Sequence, residues 1–110
     1  MRNEIIIAFL IGIVIISGCI GQEEKLSDKD KAITACKNEC NSRLNKEENL
    51  ENGPCILDPI TEVPDWICDV AHDPRQPIDN QPENQCSSYR EGRAHHFVEV
   101  DTNCEVIKTF

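Results

Sequence analysis

Aromatic residues are scarce in this chain, with one Trp, one Tyr and three Phe among 110 residues, and there is a single Met. A domain so poor in large apolar side chains buries little surface, so its core alone offsets chain entropy only marginally. Positive charge is also short: 11 Lys and Arg stand against 20 Asp and Glu, a formal charge of −9. That balance excludes the basic footprint that nucleic acid requires and the polybasic patch that would serve as a second membrane signal. Catalytic signatures are missing as well. There is no Gly-x-Ser-x-Gly nucleophile elbow and no His-Glu-x-x-His zinc motif, and carboxylate pairs such as Asp28/Asp30 or Glu47/Glu48 read as solvated helix charge. The expectation is a protein that is not an enzyme and carries no cofactor.

What the chain does have is seven cysteines and one apolar run, from Ile5 to Ile16, preceded by Arg2. The run has the length of a signal-peptide h-region and ends in the small residues Ser17 and Gly18 before Cys19. It resembles a prokaryotic lipoprotein precursor whose lipobox is Ile16-Ser17-Gly18-Cys19. The resemblance implies cleavage before Cys19, lipid on its thiol, and a mature protein on the outer side of the cell membrane. Two acyl chains are expected there, because one gives only marginal, reversible binding. An uncleaved signal anchor is an alternative, although Ile5 to Ile20 falls short of the ~20 apolar residues of a comfortable span. Losing residues 1–18 removes Arg2 and Glu4 together, so the mature chain stays at −9, with 10 basic and 19 acidic residues.

With Cys19 set aside, Cys36, Cys40, Cys55, Cys68, Cys86 and Cys104 remain, an even number that predicts three disulfides in an exported domain. Residues 19–27 read as the lipidated cysteine and a polar tether, and residues 28–110 as one small disulfide-rich domain. Ser27 with Asp30 three positions on predicts a helix start, and Ile33, Cys36, Cys40 and Leu44 fall on one face. The helix is expected to end between Lys46 and Glu51, before Gly53-Pro54. Residues four apart on a helix have Cβ atoms about 5–6 Å apart, whereas a disulfide needs about 3.8 Å. Cys36 and Cys40 should therefore bond not to each other but to the later segment, with the third bridge inside residues 55–104.

Trp66, Cys68 and Val70 share one parity, which predicts a half-buried strand over Asp65–Ala71 with its cysteine facing the helix. Three prolines between Asp73 and Gln85 predict an ordered loop. His95–Asp101 and Glu105–Phe110 flank a turn-like Asp101-Thr102-Asn103-Cys104 and predict a C-terminal hairpin, with His96, Val98 and Val100 on one face and Phe97 and Glu99 on the other. A further short strand is expected near Cys86–Arg90. The fold class is α+β: an N-terminal helix packed on a small antiparallel sheet with a C-terminal hairpin, stapled by disulfides.

The segment Trp66-Ile67-Cys68-Asp69-Val70-Ala71-His72, with Pro74-Arg75-Gln76-Pro77 and His96-Phe97-Val98-Glu99-Val100-Asp101, resembles small cysteine-rich exported proteins of archaea, over most of residues 53–108. The resemblance brings no activity with it. Among candidate sites, Pro74, Arg75, Gln76 and Pro77 read as a recognition loop, because prolines reduce the entropy lost on binding. His72, His95 and His96 are weak metal ligands, since imidazole suits zinc and copper but neighbours on a strand point to opposite faces; Asp69 or His72 would have to complete such a site. Cys36-Lys37-Asn38-Glu39-Cys40 departs from the reactive Cys-x-x-Cys pattern and lies inside the helix. The expected function is a lipid-anchored extracytoplasmic domain that binds a protein or small ligand, or is structural, at the cell surface. The alternative is an envelope redox or metal-handling protein.

Overall fold

The computed structural model describes residues 25–110; the segment read above as a signal sequence ending in a lipobox, and Cys19 with it, lie outside these residues. Helix α1 spans Asp28–Asn45, capped by Ser27, whose hydroxyl accepts the Asp30 N–H at 3.1 Å. Asp28 and Asp30 complement the positive end of the helix dipole and Arg43 the negative end. The helix stops one residue before the expected range, in a Schellman turn. Glu48 N–H bonds to Arg43 C=O and Glu47 N–H to Leu44 C=O, with Glu47 in the left-handed region at φ 61°.

Four strands follow: β1 (Cys55–Leu57), β2 (Trp66–Val70), β3 (His96–Val100) and β4 (Val106–Thr109), in the spatial order β1-β2-β3-β4. The β1–β2 and β3–β4 pairs are antiparallel, as expected, but the central pair β2–β3 is parallel, so the sheet is mixed. Parallel neighbours need a long crossover, and residues 71–95 provide one. This segment holds the 3₁₀ turns Pro77–Asn80 and Pro82–Asn84 and a single helical turn, α2 (Ser87–Arg90). The strand expected near Cys86–Arg90 is therefore helical. Asp58 explains why: its carboxylate accepts Ser87 Oγ at 3.2 Å and Ser88 N–H at 3.3 Å, holding the first turn of α2 in place.

Alternation along β2 and β3 sorts side chains to two faces. Trp66, Cys68, Val70, Val98 and Val100 pack beneath α1 with Ala32, Cys36 and Cys40, joined by Leu50, Ile56, Ile60, Val63 and Cys104. Leu44, expected on the buried stripe, is instead 37% exposed, while Leu50, off that stripe, is buried. Ile67 and Phe97 face the other way, toward Cys55, Cys86 and Ala94.

Three disulfides join these layers: Cys36–Cys68, Cys40–Cys104 and Cys55–Cys86. Cys36 bonds β2 and Cys40 the turn between β3 and β4, so the helical cysteines take separate partners in the later segment and the third bridge lies within 55–104, as expected. Such bonds belong to an oxidising, extracytoplasmic environment. In the hairpin, Asp101 Oδ1 accepts the N–H groups of Asn103 and Glu105, both at 2.9 Å, and Cys104 adopts φ 68°. Glycine is usual at that left-handed position; cysteine stands there because it bonds Cys40. Among the described residues no helix is long and apolar enough to cross a membrane.

Candidate functional site

The sheet face away from α1 is not closed. Between it and the crossover lies a cleft of about 390 Å³, floored by Ile67, Phe97 and Cys86 of the Cys55–Cys86 bridge and walled by Tyr89 of α2. Tyr89 meets Phe97 edge-on, with ring centroids 5.1 Å apart, and Phe97 stacks on Phe110 at 5.9 Å. Small-molecule sites share the apolar floor and a volume of roughly 300–1,000 Å³, but charged side chains line much of this cleft.

Three charged residues cross the sheet in one row, because Asp69 pairs in register with Glu99 and Glu99 with Lys108. Arg75 reaches over from the crossover and donates to Glu99 Oε2 at 2.8 Å, to Asn80 Oδ1 at 2.8 Å and to the Asp79 carbonyl at 3.2 Å. Each of its three guanidinium nitrogens thus has an acceptor. Asp69, by contrast, is part-buried and has no ion pair among the described residues, its own backbone N–H partly stabilising the carboxylate. Burial, then repulsion from Glu99, pushes its carboxyl up to about 7, with Arg75 only partly opposing. Arg90 and Lys108 edge the cleft; Arg90 donates only to the Pro82 carbonyl at 3.4 Å, and the Lys108 ammonium lies 5.9 Å from the Phe97 ring centre.

Of the expected recognition loop, Arg75 lines this cleft, while Gln76 and Pro77 build the turn beside it. Gln76 N–H donates to Asp79 Oδ2 at 2.9 Å and Pro77 opens the 3₁₀ turn; Pro74 is exposed. The three histidines fall into two separate groups. His72 belongs with Asp79: its ring Nδ1 lies 2.9 Å from Asp79 Oδ1, its N–H donates to Oδ2 at 3.0 Å, and its Nε2 is 3.6 Å from Glu51. The bond to Asp79 raises the His72 pKa. Asp79 is buried, which works to raise its own pKa, but the N–H groups of Gln76 and His72 and the His72 ring outweigh burial and lower it.

His95 and His96 sit at the other end of the central strands. His95 precedes β3 and places Nδ1 2.7 Å from Asp65 Oδ1, which lowers the Asp65 pKa; His96 Nε2 is 3.7 Å from Oδ2. His96 also stacks on Trp66, with centroids 4.7 Å apart, and its Nδ1 donates to the Phe110 carbonyl at 3.0 Å. Trp66 is thereby a core residue, 7% exposed. Neither His72 nor Asp69 joins His95 and His96. Among the described residues the ligand-type atoms that converge within 4.8 Å are those of Cys55, Asp58 and Cys86, and the two sulfurs are bonded to each other. Cys36 and Cys40 are 0% exposed and hold different partners.

No protein-family model, no curated protein and no solved structure matches this chain. The site therefore has to be read from its own chemistry. Sequence alternation placed Phe97 and Glu99 together, but the row Asp69-Glu99-Lys108 depends on the parallel register of Trp66 with His96, which no local signal encodes. Tyr89 and Arg90 were hidden for a different reason, since α2 owes its place to Asp58 and to the Cys55–Cys86 bridge.

Proposed function

We propose that this protein is a lipid-anchored extracytoplasmic domain that binds a small ligand in the cleft on the far face of its sheet. The observation that carries the reading is the cleft itself, a cavity of about 390 Å³ with Ile67 and Phe97 on its floor and the part-buried carboxyl of Asp69, which has no ion pair among the described residues, in its lining. Two further features support it. All six cysteines of the described region are joined in three bonds, which leaves Cys19 for the lipid that the lipobox-like Ile16-Ser17-Gly18-Cys19 implies. Arg75, held at three points, pins the crossover over the cleft and makes it a fixed cavity. Preformed sites lose less entropy on binding.

Two measurements test the reading. The mass of the intact membrane-extracted protein should lack Met1 to Gly18, carry two acyl chains, and rise by six hydrogens on reduction of its three bridges. Retention of Met1 to Gly18 indicates a signal anchor, and free thiols or a bound ion indicate the redox or metal-handling alternative. For the cleft, NMR screening of the full chain in detergent against a chemically diverse small-molecule mixture should shift Phe97, Tyr89 and Asp69. A screen in which no compound moves these resonances refutes the binding role.

A further inference from the structure

The unmatched charges of the cleft have two signs, and they stand at opposite ends. Asp69 lies on β2, and Lys108 lies two strands away on β4, in the same cross-sheet row. At about 4.8 Å between strands the two backbones are about 10 Å apart. Glu99, between them, is already neutralised by Arg75. Among the described residues neither Lys108 nor Arg90 has an acidic partner, and both edge the same cavity. An anion alone would leave Asp69 unsatisfied, and an amine alone would crowd the two free cations. A metal ion is disfavoured because Glu99, the neighbouring carboxylate, is already paired with Arg75 at 2.8 Å and two cations edge the cleft.

Resting on the binding role above, we propose that the cleft takes a short zwitterion of dipeptide size, its ammonium on Asp69, its carboxylate between Arg90 and Lys108, and its hydrocarbon part against Phe97 and Tyr89. The scale follows from the row: the backbones are about 10 Å apart, the Lys108 ammonium lies 5.9 Å from the Phe97 ring on the strand between, and the ends of an extended dipeptide are roughly 6 Å apart. A free α-amino acid holds its two charges on one carbon and cannot reach both ends. The ligand's ammonium also supplies the counter-charge that Asp69 lacks, so binding favours the ionised carboxylate and weakens as pH falls below 7.

The experiment is a titration of the oxidised full chain in detergent micelles at pH 8 with glycyl-leucine, its N-acetyl form, its C-terminal amide, and free leucine, followed by NMR shifts of Phe97, Tyr89 and Lys108. Glycyl-leucine is expected to bind at least tenfold more tightly than each of the other three. D69N should abolish the preference for the free amine while keeping that for the free carboxylate, and R90Q/K108Q should do the reverse. Both substitutions change cleft-facing polar ends, and the variants' spectra away from the cleft report whether the fold is kept. Equal binding of all four probes, or of none while the diverse mixture still shifts the cleft residues, overturns the zwitterion assignment and leaves the binding role standing. A cleft unmoved by the probes and by the mixture overturns both.

Discussion

Replacing Asp69 with asparagine should stabilise the domain, and by an amount that grows with pH. The side chain keeps its shape but loses the charge that the cleft disfavours. An aspartate ordinarily titrates at 3.8, whereas burial and the neighbouring Glu99 push Asp69 up to about 7. Its folded-state pKa is raised, so its ionisation penalty is absent below the unfolded value and develops as pH climbs toward the folded one. At 1.36 kcal/mol for each pH unit between the two, the penalty reaches at most about 4 kcal/mol near pH 8 and falls to about 1–2 kcal/mol at pH 5. The assay is urea unfolding of wild type and D69N at pH 3.5, 5, 6.5 and 8. The difference between the two proteins isolates Asp69, because Glu99, Arg75, Asp79, Arg90 and Lys108 are common to both. Equal stabilities at pH 8, or a gap that does not change between pH 3.5 and 8, would refute the account of Asp69 as an unpaired, part-buried acid.

Gly53 has φ +65°, and a Cβ there would run into Asp79 Oδ1; Gly53→Ala should cost about 1–3 kcal/mol and, by displacing Asp79, lower the His72 pKa read by NMR. Glu47→Gly, at φ 61° in the Schellman turn, should gain about 0.5–1 kcal/mol in urea unfolding. Removing the Cys40–Cys104 bridge, which spans 64 residues, as C40A/C104A should cost about 3–4 kcal/mol; C40A/C104G should recover about 1 kcal/mol, because Cys104 sits at φ 68°. His72 has a raised pKa, so its contribution is full below its ordinary 6.5 and is lost as pH rises through the folded value. Asp58 and Asp79, with lowered pKa values, contribute above 3.8 and lose it as pH falls. Together with Asp69 these place the stability maximum on the acid side of neutrality, which thermal unfolding from pH 3 to 9 measures.

The parts of the fold that were legible in the sequence are those set by local rules. Ser27 and Asp30 started α1 as a capping pattern must, and the four-residue spacing of Cys36 and Cys40 forced them to separate partners. Period-two alternation put Trp66, Cys68 and Val70 on one face. What stayed hidden depends on distant pairing. Whether β2 and β3 run parallel is decided by the path of residues 71–95, and the Ser87–Arg90 turn is held by Asp58, about thirty residues earlier. The same holds for His72, whose buried partner Asp79 reads in the sequence as one more charge in a polar loop.

Asp79 in the crossover and Asp69 on β2 carry their charges in opposite ways, and the contrast bears on what the cleft is for. Asp79 is as deeply buried as the apolar core, yet it accepts two backbone N–H groups and the His72 ring, so its charge contributes to the fold. Asp69 is part-buried with no ion pair among the described residues, and desolvation and the nearby Glu99 hold its pKa above the ordinary carboxylate value. A domain poor in aromatics has little stability to spare, and three disulfides supply the margin: loops of 32, 64 and 31 residues are each worth about 3–4 kcal/mol in the chain-entropy picture. One bridge is thus of the same size as the penalty at Asp69. Cys86 lines the cleft, so the Cys55–Cys86 bond that ties the crossover to β1 also holds part of the cleft's lining. Under the proposed binding role, a cationic group entering the cleft would supply the counter-charge that Asp69 lacks in the free protein.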